Sequence, residues 1–174
     1  MKVTRIIGAI WAILGLSLIL GSAIIRIIPH VFSAFDRGLS AVQWIILIIW
    51  CGFMLITEGY RGFQKLFSPR FAARTWYLTN HGKKIDLILA PFFCMAYFGT
   101  TRKRIITSWA LTIGIVILIV VVHLVSQPWR GIIDSGVVLG LVYGLIWVYI
   151  FTLRSFVSHS YLVDPEVVPS NLKL

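Results

Sequence analysis

The chain has 174 residues, 59% of them hydrophobic and only 13% charged, with a formal net charge of +10. A soluble domain is about 45–50% apolar and about 25% charged, and here the apolar excess is gathered into long blocks, which excludes a soluble globular fold. The positive charge stands between those blocks, where the positive-inside bias and anionic headgroups account for it, so nucleic acid is not an expected partner.

Lys2 and Arg5 precede an apolar run over residues 6–25. That run exceeds the ~7–15 residues of a signal-peptide core and matches the ~20 needed to cross a bilayer. An uncleaved first span is therefore expected over residues 6–28, with Arg26 snorkelling near its far end and Pro29 ending it. A short connection carries His30, Asp36 and Arg37. The second span is expected over residues 39–57, with Glu58 and Arg61 marking its exit.

Residues 58–104 hold nine of the sixteen Lys and Arg residues: Arg61, Lys65, Arg70, Arg74, Lys83, Lys84, Arg102, Lys103 and Arg104. A basic block between hydrophobic spans reads as a cytoplasmic region. Inside it, Ser68 reads as an N-cap with Pro69 at the first helical position, and the Asn80-His81-Gly82 stretch as a stop. Phe71, Ala72, Thr75 and Trp76 recur at helical spacing against Arg70 and Arg74. Two readings stand side by side: an amphipathic helix on the headgroups, with Trp76 and Tyr77 in the aromatic belt, or a helix packed on protein.

Residues 85–100 are apolar but span only about 24 Å as a helix, short of the ~30 Å hydrocarbon core. Pro91 interrupts them and Asp86 stands near their start. If they do not cross, the cytoplasmic side receives 13 of the Lys and Arg residues against 3; if they cross, the split is 9 against 7. The first arrangement is the expected one, making 85–100 a re-entrant or interfacial element.

Two further spans are expected over residues 105–125 and 132–153, followed by a loosely ordered polar tail over 154–174 with Pro165 and Pro169. The expected fold is a single all-α integral membrane domain. It has four transmembrane helices in a bundle, both termini cytoplasmic, and a bacterial inner membrane as its setting. A faint repeat relates Arg5-Ile6-Ile7 and Trp11-Ala12 to Arg104-Ile105-Ile106 and Trp109-Ala110, as two helical hairpins in parallel would.

Gly136, Gly140 and Gly144 form an i, i+4, i+8 stripe on which another helix can pack closely, an internal partner being the default. Glu58 and Arg61, one turn apart, read first as an i,i+3 ion pair and second as a proton or substrate site. The nine basic residues are candidates for lipid or anion binding. Asp86 belongs to the interrupted segment; Arg130 and Asp134 read as an i,i+4 pair, and His123 lies near the end of its span. Two histidines without a third ligand at metal spacing are a weak metal signal, so neither metal nor cofactor is expected. Cys51 and Cys94 read as buried hydrophobes. The Glu58, Arg61, Gln64 run resembles the second helix of the four-helix glutathione-dependent membrane enzymes, at a different spacing, and no residue role is carried over.

Packing and topogenic signals are clear, whereas no nucleophile elbow, phosphate loop or metal cluster is present. The leading expectation is a non-enzymatic membrane subunit or scaffold, its basic face engaging anionic lipid, a membrane-protein partner or a second copy. A small transporter or lipid-handling protein with a site near 85–100 comes second. A membrane enzyme acting on a phosphorylated or lipid substrate, with Glu58 as base, comes third.

Overall fold

The computed structural model describes residues 2–167. All regular structure in that range is helical: α1 (Lys2–Asp36), α2 (Ala41–Met54), a π segment (Leu55–Phe67), α3 (Ser68–His81), α4 (Lys84–Ile88), α5 (Ala90–Cys94), α6 (Arg102–His123) and α7 (Trp129–Ser158). Four helices are long and apolar enough to cross a membrane: Val3–Asp36, Ala41–His81, Arg102–His123 and Trp129–Ser158.

Two boundaries differ from the sequence expectation. Pro29 lies inside α1 rather than ending it. Tertiary contacts hold the helix together beyond it: Gln127 Nε2 donates to the His30 carbonyl at 3.1 Å, and Ala34 is buried where Gly131 approaches. The larger correction concerns the basic region after residue 57. It is no loop, because α2, the π segment and α3 run on as one 41-residue helix. Ser68 does not cap it, being helical itself (φ −61°, ψ −42°), and Pro69 falls where the pairing changes from i→i+5 to i→i+4. The stop at Gly82 is where the sequence puts it.

Helix α7 is the spine. Its buried residues include Gly136, Gly140, Gly144, Val148 and Thr152, one every fourth position. Against them stand Trp50 and Met54 at Gly136, Glu58 at Gly140 and Phe63 at Gly144. The contacts on the long second helix thus recur every four to five residues, which is the wider turn that i→i+5 pairing provides. The glycine stripe is consumed inside the chain.

Paired residues fix the directions. Trp50 Nε1 donates to the Ile133 carbonyl at 3.0 Å and Trp76 packs edge-on against Phe156, so the long second helix runs parallel to α7. Ser17 Oγ pairs with Tyr149 Oη at 2.7 Å while Ala34 meets Gly131, so α1 is antiparallel to both. Arg5 reaches the Asn80 carbonyl, which sets α3 beside the first half of α1. The interrupted segment lies on that same half, with Leu87 against Gly8 and Pro91 against Gly15. The segment is interrupted at Leu89, between α4 and α5, with Pro91 in the first turn of α5.

Helix α6 stands at the margin. It is tied by Ser108 Oγ to the Met95 carbonyl at 3.0 Å, by the Tyr97–Thr112 hydroxyl pair and by Tyr97 against Trp109. Of its residues only Val122 is buried. The chain is therefore a three-helix bundle with a fourth long helix beside it, not a closed four-helix bundle. In the hairpin repeat α6 would match α1, but α1 is packed along α7 and α3 and α6 is not.

A Cβ at Gly144 would overlap the Phe63 ring, whereas one at Gly114 on α6 meets nothing within 4 Å. Gly144→Ala is expected to lower stability by ~1–3 kcal/mol through overpacking. Gly114→Ala is expected to raise helix stability by ~0.5–1 kcal/mol. Thermal unfolding in one detergent checks both, and equal behaviour of the two variants would contradict the packing described.

Candidate functional site: an arginine-pinned layer at one end of the bundle

The most constructed polar feature is centred on Arg74 in α3, whose residue exposure is 2%. Eight α3 residues are buried, among them Phe71, Ala72, Ala73, Arg74, Thr75 and Leu78. That decides between the two readings of this helix: it packs on protein. It also corrects the assignment of Arg74 to an outward, anion-binding face.

Arg74 Nε donates to the Phe93 carbonyl at 2.8 Å, Nη1 to the Pro165 carbonyl at 3.0 Å, and Nη2 to the Phe98 carbonyl at 2.9 Å. The guanidinium also lies 4.1 Å from the centroid of the Phe93 ring. A buried cation is tolerated only when its donors are met, and a planar fork of five N–H groups suits three diverging carbonyls as an ammonium does not. The carbonyls are aimed at it by a tight turn: Ala96 and Gly99 hold left-handed backbones at φ +65° and +67°. For alanine that conformation costs on the order of 1 kcal/mol, and at Gly99 a side chain would also crowd the Phe93 ring.

Beside this knot, Arg104 at the start of α6 meets the Glu166 carboxylate with two parallel bonds, Nε–Oε2 at 2.7 Å and Nη2–Oε1 at 3.0 Å. Thr100 Oγ1 donates to the Glu166 carbonyl at 2.9 Å. The Arg104 bond and the charges of Arg104, Arg70 and Arg74 hold the Glu166 carboxyl below the usual glutamate range. Residues 164–167 are thus docked on the layer, which corrects the expectation of a loose tail as far as the described residues reach; Pro169 and Lys173 lie outside them. Cys94, beneath the same turn, has its thiol pushed up to about 12 by burial, with Thr75 Oγ1 donating to Sγ at 3.5 Å. It stays a protonated thiol.

The other sequence candidates scatter. Lys65 lies over the Tyr60 ring at 4.7 Å. Arg61, Lys84 and Lys103 are exposed, and Arg102 is too. Asp86 Oδ2 accepts from the Lys83 backbone amide at 3.2 Å, an end-cap of α4 rather than a site. Glu58 and Arg61 are both exposed and form no ion pair, because i→i+5 pairing moves the i,i+3 position off the same face. Glu58 stands instead beside Gly140, midway along α7.

At the opposite end Arg130 does approach Asp134, loosely, at 3.7 Å. It donates from Nη2 to His30 Nε2 at 2.8 Å. His123 bonds its own helix through Nδ1 and the Ile119 carbonyl at 2.8 Å. Among the described residues no group of three or more His, Cys, Asp or Glu side chains could hold a metal ion.

Sequence reasoning missed Glu166, Thr100 and Pro165 as members of the layer. A signal was available for the first. With six acidic residues against sixteen basic ones, a tail glutamate is a counter-ion in short supply.

No protein-family model, curated protein or solved structure matches the chain, so the site rests on its own geometry.

Removing the Arg74 side chain strands three neutral carbonyls, and a buried acceptor left without its partner costs ~1–3 kcal/mol, so ~3 kcal/mol or more is at stake. Arg74→Ala is expected to lose about that much stability and to free the tail. Arg74→Lys is expected to recover under half of it. Thermal unfolding and limited proteolysis near residue 163 check both, and a silent Arg74→Ala would contradict the clamp.

Proposed function

We propose that the chain is a multi-pass membrane protein acting as a non-enzymatic subunit or scaffold, with the Arg74 layer at the cytoplasmic face. The observation carrying this reading is α6. A 22-residue apolar helix leaves nearly all its side chains uncovered by its own chain. Such a surface is stable against lipid tails or against another apolar helix, and not in water. The long second helix and α7 end in the basic layer at the same end as Arg5. The positive-inside rule supports reading that basic end as the cytoplasmic face. The glycine stripe does not serve assembly, since it is filled from within. The bacterial inner membrane remains the proposed setting.

In a background lacking Cys51 and Cys94, a cysteine at Arg37 is expected to react with an impermeant maleimide from outside intact cells, and one at Lys84 only after permeabilisation. The reverse pattern would invert the topology. Native mass spectrometry after gentle extraction is expected to show a second polypeptide at fixed stoichiometry, lost when polar residues replace Ile113 and Ile117 on α6. Stoichiometry unchanged in those variants would refute α6 as the assembly surface.

A second reading, a lipid-handling protein, is favoured by one feature: an open apolar groove of about 500 Å³ between the interrupted segment and α6, with Leu89, Phe92 and Trp109 exposed along it. A lone chain retaining one defined lipid would move the weight to it.

A further inference from the structure

The groove and the arginine layer share a wall. Leu89, Phe92, Tyr97, Phe98, Trp109 and Thr112 line the groove, while the Phe98 carbonyl is one of those held by Arg74. On α6, Trp109 follows Arg104 by five residues, or ~7.5 Å along the axis. A charged end and an apolar slot thus lie in series, about one headgroup length apart.

The occupant of the charged end is part of the chain itself. Glu166 adopts φ +48°, a left-handed backbone that glutamate rarely takes. Its amide is clipped by Asp164 Oδ1 at 2.8 Å and its carbonyl by Thr100. The carboxylate so delivered uses the parallel two-bond geometry that an arginine offers to carboxylate and phosphate alike. Arg70, half-buried nearby, also acts on Glu166. The carboxylate is bonded by one guanidinium, that of Arg104, while Arg70 and the buried Arg74 add positive charge around it. A phosphate monoester, carrying between one and two negative charges near neutrality, matches that surplus better than Glu166 does.

We propose that Arg70 and Arg104 form a site for the phosphate monoester headgroup of a phosphatidic-acid-type lipid, that Glu166 holds the site in its absence, and that the groove beside Trp109 receives an acyl chain. The inference rests on the membrane placement proposed above. Its test reads lipid bound to the purified chain, whereas the subunit reading is tested by a second polypeptide, so the two can fail separately.

The full chain in neutral detergent is titrated with dioleoyl phosphatidic acid, and bound lipid is counted by native mass spectrometry, with dioleoyl phosphatidylcholine as the zwitterionic comparison of zero net charge. Phosphatidic acid is expected to bind at one site at least tenfold tighter than phosphatidylcholine. Glu166→Gln removes the internal competitor and is expected to tighten binding by about fivefold or more. Arg104→Gln and Arg70→Gln are each expected to weaken it by about tenfold. Lys84→Gln, which removes an exposed charge elsewhere, is expected to leave it unchanged.

Glu166→Gln without effect, or weakening binding, would overturn the competition. Equal losses from Lys84→Gln and Arg104→Gln would reduce the effect to non-specific attraction and overturn the site. Dihexanoyl phosphatidic acid or inorganic phosphate binding as tightly as the dioleoyl lipid would overturn the acyl-chain assignment and leave a soluble anion as the ligand.

Discussion

One end of this bundle depends on a single buried cation. Arg74 brings together the end of α5, the 95–99 turn and the tail at Pro165, whose side chains Phe93, Met95, Phe98 and Val167 also join one apolar cluster. None of its direct partners is a carboxylate. A guanidinium caged by carbonyl dipoles keeps its full charge, while its hydrogen bonds offset much of the desolvation cost. The interrupted segment can then be irregular backbone in an apolar setting, because Arg74 satisfies the carbonyls that the turn exposes.

The same economy of close approach governs the other contacts of the bundle. Gly8 and Gly15 admit Leu87 and Pro91, Gly131 admits the end of α1, and the α7 stripe admits the second helix. Wherever a bulky group must sit against a helix backbone, its partner has given up a side chain. This leaves α7 with no glycine face for a partner molecule, while the one glycine of α6, Gly114, meets nothing. The division of labour between a packed bundle and a loosely tied fourth helix follows from that.

The apolar blocks, their number and the glycine stripe were legible in the sequence because hydrophobic length and helical spacing are local signals. The charge asymmetry was legible too, and it placed residues 85–100 on one side without a crossing. Where the reading failed, a tertiary contact had overruled a local rule. Pro29 ends a helix only if nothing holds the turns beyond it, and Ala34 against Gly131 does hold them. Charged residues after 57 suggest a loop, yet Arg and Lys are good helix formers, and the poorest formers between Thr57 and Gly82 are Gly59 and Gly62, inside the π segment, and a proline at a change of pairing. Arg74 was misread because an arginine at helical spacing looks like a surface residue until the carbonyls facing it are known. Those carbonyls come from residues 19 to 91 positions away, which no periodicity records.

The basic residues therefore divide by what they hold. Arg74 is bonded to backbone that no ligand could replace, so it fixes geometry. Arg104 is bonded to a side chain near the end of the described chain, through a contact about one-third exposed on each side, so its partner can be exchanged at little cost. A carboxylate held by one partly exposed arginine, on a backbone in a strained conformation, is weakly competitive by construction: its attachment must be strong enough to keep the site closed and weak enough to yield to a better-matched anion. The unneutralised charge of Arg74 favours that exchange without taking part in it. The cation that stabilises the layer thus also sets the field in which the proposed anion site works, and this is why stability and binding at this end of the molecule are coupled through charge rather than through a shared contact.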